Sequence, residues 1–117
     1  MKRLTLSAVA VLMLGAAPTF ANDSVLELTQ NPKQWAAQLG DYAGTRYSKL
    51  DQINAGNVGD LQVAWSFSTG VLRGHEGSPL VIDNMMYVHT PFPNIVYALD
   101  LDQGAKIVWK YEPKQDP

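Results

Sequence analysis

The chain has 117 residues, two histidines, no cysteine and a formal net charge of −2 at pH 7. Without a cluster of Lys and Arg it has no footprint for nucleic acid. Without Cys it can form no disulfide of its own, so cysteine usage gives no clue to the redox compartment.

Lys2 and Arg3 precede an apolar run from Leu4 to Ala17, broken by Pro18, and Thr19-Phe20-Ala21 follows. That layout predicts a secretory signal over 1–21, cleaved after Ala21. The run is too short to span a bilayer comfortably, so no membrane span is expected after cleavage. All 11 acids lie beyond Ala21, so cleavage leaves an acidic chain. Ser24-Val25-Leu26-Glu27 has the form of a capping box, predicting a short helix from Ser24 to about Asn31, with Pro32 just beyond its end. Gly40, Gly44 and the polar residues between them read as loop. The segment Leu50–Leu61 reads as turns with a helical piece near Asn57.

From Gln62 the texture changes. Gln62–Thr69 alternates, with Val63, Trp65 and Phe67 on one side, which predicts a strand. Pro79–Ile82 and Met85–Thr90 are apolar runs joined by Asp83-Asn84, a hairpin signal. Ile95–Leu101 and Lys106–Tyr111 are two more, joined through Asp102-Gln103-Gly104. Five strand candidates with short connections predict an antiparallel meander.

Between the first two candidates lies Arg73-Gly74-His75-Glu76-Gly77-Ser78-Pro79. Glu76 is a lone carboxylate between glycines, where the backbone can approach a ligand or another chain. A solvated surface turn is the plain alternative. His75 is read as a loop residue supporting Glu76, and His89 as the end of a strand. Two histidines fourteen residues apart are no zinc signature, so neither is taken as a metal ligand. Asp100 and Asp102 are read as turn residues, and the three tryptophans as packing residues.

Ala98-Leu99-Asp100, Gly104 and Trp109 resemble the tryptophan-docking motif of the eight-bladed quinoprotein propellers. Gln103 stands where that motif has Thr, and one extra residue separates Gly104 from Trp109. Arg46-Tyr47-Ser48, Leu50, Gln52-Ile53-Asn54, Asn57-Val58, Leu61 and Ala64-Trp65 are similar to the N-terminal signature of the quinoprotein alcohol dehydrogenases that depend on pyrroloquinoline quinone (PQQ). Trp35, Gly40 and Glu76-Gly77-Ser78-Pro79-Leu80-Val81 fit the same family. Gly74-His75, His89-Thr90-Pro91-Phe92-Pro93-Asn94 and Pro113-Lys114-Gln115-Asp116-Pro117 resemble its methanol dehydrogenase large subunits. Thr45–Asp51 and Val71-Leu72-Arg73 look closer to the lanthanide-type branch than to the calcium-type one.

The resemblance implies an all-β fold, a partial eight-bladed propeller. Residues 22–61 would form an N-terminal arm with a short helix, and 62–117 about one antiparallel blade. A blade takes roughly 40 residues, so this length cannot close a ring, and an inactive fragment of a larger enzyme is expected. By the same resemblance the enzyme is periplasmic and oxidises a primary alcohol, methanol first, passing electrons to cytochrome c. PQQ is the cofactor, aided by a calcium or lanthanide ion, and the full enzyme could form a homodimer. Glu76 is the one residue carried over, as a contact to the quinone rim. The catalytic base and the metal ligands would lie downstream. A non-enzymatic exported propeller acting as a scaffold is the competing reading.

Overall fold

The computed structural model describes residues 23–115; the expected export signal lies outside them. The described residues open with helix α1 (Asp23–Gln30). Ser24 therefore sits inside the helix rather than capping it, and the expected capping box is not realised there. At the other end Thr29 Oγ1 donates to the Leu26 carbonyl, and Asn31 Oδ1 accepts from the Lys33 amide. Such local bonding by short polar side chains competes with further helix. A 3-10 turn, Val58–Asp60, marks the helical piece expected near Asn57.

The rest is one four-stranded antiparallel meander: β1 (Leu80–Ile82), β2 (Met85–His89), β3 (Val96–Asp100) and β4 (Lys106–Tyr111), paired in that order. Asp83 and Asn84 both take positive φ, 49° and 61°, which is the backbone a two-residue hairpin needs to follow the twist of its strands. Asn84 also donates through Nδ2 to Asp102 Oδ1 at 2.7 Å, tying one sheet corner to the next. In the β3–β4 connection Asp100 accepts from the Asp102 amide and from Gln103 Nε2, and Gly104 takes a left-handed φ of 63°. Asp100 and Asp102 are thus turn residues, each with a structural partner.

The extra residue before Trp109 has a physical explanation. Asp100 pairs with Lys106 and Leu99 with Ile107, but Ala98 pairs with Trp109, so the register shifts and Val108 is the inserted residue. The bulge returns Trp109 to the row Leu80, Tyr87, Ala98, Trp109. Ala98 is fully buried between the two aromatics, and its small side chain lets their rings approach to 6.1 Å.

The two sheet faces differ. On one, Leu99, Tyr97, Met86 and Val88 join Ile95 and Ala105 in the core. Phe67 and Val71 cover this face, with the Phe67 ring edge-on to Tyr97 at 5.1 Å and the Tyr97 hydroxyl donating to the Thr69 carbonyl at 3.0 Å. This corrects the strand expected over Gln62–Thr69. The segment is not part of the sheet, and among the described residues no strand completes its ladder. Of its alternating apolar side chains Phe67 packs on the core, while Val63 is 87% exposed and Trp65 37%.

The arm docks at the free edge of β1. Trp35 and Val81 exchange two backbone hydrogen bonds, of 2.8 and 3.0 Å. One residue earlier, Gln34 donates to Asp83 Oδ1 at 2.9 Å and accepts from the Asp83 amide at 2.8 Å. Covering an edge in this way blocks it as a template for unwanted pairing.

Candidate functional site

The Glu76 loop enters β1 from outside the sheet and is fixed from both sides. Upstream, His75 Nδ1 lies 2.8 Å from the Arg73 carbonyl and its Nε2 lies 3.1 Å from Thr69 Oγ1. With the Tyr97 hydroxyl on the Thr69 carbonyl, the loop is linked to the core. His75 thus supports the loop, as its place in the sequence implied. The Arg73 guanidinium lies 5.5 Å from the centre of the Phe92 ring, a cation–π distance. Downstream, Gly77 rests against the imidazole of His89, where a Cβ would overlap the ring.

Glu76 itself is exposed, and among the described residues no hydrogen bond or ion pair ties down its carboxylate. It borders two hollows. The larger, about 570 Å³, is lined by Ser78, Leu80, Tyr87, His89 and Val96 of the sheet side and by Gln38 of the arm. The second, about 460 Å³, adds Trp35, Arg46, Pro79 and Val81. Both volumes fall in the range of small-molecule sites. Arg46 reaches this position from a left-handed backbone (φ 55°), held by its amide bond to the Leu39 carbonyl at 2.9 Å.

An ionised carboxylate only accepts hydrogen bonds, so Glu76 needs donors brought by a ligand or by further chain. Ser78, Tyr87 and Gln38 add groups able both to donate and to accept, while Leu80 and Val96 give an apolar wall. Such a mixed lining can hold a ligand with both polar and apolar faces. Sequence reasoning did not place Gln38, Arg46 or His89 beside Glu76. For His89 a signal existed: continuing the pairing Leu80↔Tyr87 by two residues sets Ser78 opposite His89. For Gln38 and Arg46 there was none, because arm docking is a long-range contact. Among the described residues no three His, Cys, Asp or Glu side chains come together as a metal site.

The profile of the PQQ glucose/ethanol/alcohol dehydrogenase β-propeller domain matches residues 35–117. The chain belongs to this family. It is 70% identical over all of its 117 residues to a lanthanide-dependent methanol dehydrogenase of Methylorubrum extorquens, of which it covers 20%. Over 110 residues it is 49% identical to subunit 1 of a methanol dehydrogenase [cytochrome c] of Paracoccus denitrificans, covering 94% of this chain and 17% of that protein. Among solved structures a europium-containing methanol dehydrogenase superposes with a TM-score of 0.77 at 56% identity, over 81% of this chain and 17% of the other. The chain thus spans about a fifth of the curated relatives it matches. The four-stranded meander is a partial quinoprotein propeller, as the sequence resemblance implied.

Proposed function

We propose that this chain forms part of a periplasmic PQQ-dependent alcohol dehydrogenase that oxidises a primary alcohol, methanol first, to the aldehyde and passes electrons to cytochrome c. The observation that carries the reading is the likeness over the whole chain to a lanthanide-dependent methanol dehydrogenase. The name of that relative supports a lanthanide as the ion. The cytochrome in the name of the Paracoccus relative supports the electron acceptor. In this reading 1–21 is the export signal, 22–61 the arm and 62–117 the first blade. The ion, the catalytic base and most of the pocket come from chain beyond this segment.

Bound PQQ would supply the two-electron chemistry. The part of this chain is to hold the cofactor rim. Glu76 accepts hydrogen bonds there, with Ser78 and Tyr87 on the same hollow and the β2–β3 sheet as a rigid backing. In the full-length enzyme, Glu76→Ala is expected to lower quinone occupancy or turnover at least about tenfold, or roughly 1.4 kcal/mol. Glu76→Gln is milder if hydrogen bonding dominates and equally severe if charge does. Quinone absorbance and dye-linked alcohol oxidation read both. Wild-type values in Glu76→Ala would reduce Glu76 to a solvated loop residue. The isolated 117-residue chain is expected to bind no quinone.

A further inference from the structure

We infer that His89 is a positioning residue for Glu76, acting through Gly77. The inference rests on Glu76 being the quinone contact. Among the described residues four glycines have positive φ, namely Gly40, Gly44, Gly70 and Gly104, and Gly77 is not among them. Its backbone is therefore one that alanine can adopt, and the need for glycine at this position is steric. The three atoms nearest to a Cβ on Gly77 all belong to one group, the His89 imidazole.

His89 is well placed to serve as a stop. It ends β2, paired with Val96 of β3. The next residue, Thr90, is buried; its amide donates to the Ile95 carbonyl, and its hydroxyl oxygen accepts from the Ile95 amide at 3.0 Å. The ring thus projects from a fixed backbone onto the residue that follows Glu76. On the other side, His75 is anchored to Arg73 and Thr69. Glu76 has no partner of its own among the described residues, so these two flanking contacts set its direction. An error of about 1 Å in such a group is enough to weaken a site.

The test uses the full-length enzyme, stripped of quinone and titrated with PQQ, with melting temperature recorded for every variant. Gly77→Ala is expected to weaken PQQ affinity at least about fivefold. Adding His89→Ala to Gly77→Ala should make the affinity equal to that of His89→Ala alone, because the obstructing ring is gone. Melting temperatures should stay within a few degrees throughout. Equal losses from Gly77→Ala with and without His89 would overturn the inference. Should Gly77→Ala fail to fold, His89→Phe and His89→Ala decide. Phe, which keeps a ring in the seat, should hold affinity within about twofold of wild type while Ala loses it. Equal affinity in the two variants would reject the stop. Glu76→Ala in the same titration separates the two levels. Normal affinity there removes the Glu76 reading itself. A loss there without Gly77–His89 coupling removes only the role of His89.

Discussion

The arm is held to the blade by a contact small enough to test quantitatively. Gln34 and Asp83 exchange two hydrogen bonds, of 2.9 and 2.8 Å, next to the Trp35–Val81 bridge. One of them ends on a carboxylate, which strengthens it, while exposure of Asp83 to water weakens both. At about 1 kcal/mol net for each, Gln34→Ala removes about 2 kcal/mol from arm docking. A tenfold change corresponds to about 1.4 kcal/mol, so local opening should become roughly 30-fold more frequent. Two amides report the opening directly, since the Trp35 and Val81 N–H groups donate only across this bridge. Hydrogen exchange in the full-length enzyme should therefore speed up at these two positions and leave the β2–β3 ladder unaffected. Gln34→Glu should open the arm at least as much, because it sets a second carboxylate against Asp83. Unchanged exchange at Trp35 and Val81 in Gln34→Ala would refute the claim that this pair holds the arm.

Asn84→Ala should destabilise the blade by about 1–3 kcal/mol, through its left-handed φ of 61° and the lost bond to Asp102. Asn84→Gly should cost less, since it loses only the bond; denaturant unfolding orders the two variants. Asp41 accepts from the Thr45 amide at 3.0 Å and from its hydroxyl at 2.7 Å, and these bonds, the amide first, hold its carboxyl below the ordinary aspartate range. A depressed folded-state pKa favours the closed loop above the unfolded-state value, and this support is lost as pH falls through the folded-state value. Carboxyl NMR of Asp41 should show a low titration midpoint, and Thr45→Val, which keeps the amide, should raise it part of the way.

Most of the blade was legible because its signals are local. Asp83-Asn84 demands positive φ, the apolar runs on either side have strand length, and Asp100 with Gly104 describes a turn within five residues. The Gln62–Thr69 segment was misread because alternating apolar residues do not fix what the backbone bonds to, and here Val63 of that row stays exposed. Phe67 buries its ring on Tyr97 without entering the sheet. The helix start was misplaced for a similar reason: Ser24 and Glu27 have capping spacing, but Asp23 already lies in the helix. In the candidate site Glu76 was singled out by its glycine neighbours and the family likeness, and its exposure on a loop beside two hollows is what the structure adds. Gln38 and Arg46 were not legible, because their position depends on the arm folding back over about 40 residues of chain.

The hairpin turn controls more than its own two strands. Along β2, Met86 and Val88 face the core, while Tyr87 and His89 face the hollow beside Glu76. Because side chains alternate, a slip of one residue would exchange these sets, placing a histidine in the core and a valine against Gly77. The register is set by Asp83 and Asn84, and the Asn84–Asp102 bond fixes that turn to the β3–β4 corner. Burial of Leu99 and Ala98 then penalises any shift of β3 against β2. The bulge at Val108 applies the same constraint on the other side, returning Trp109 to Ala98. The direction of Glu76 is thus a consequence of sheet register. Polar residues at two turns set it, a core with no room for a slip enforces it, and the contact between Gly77 and His89 transmits it to the loop.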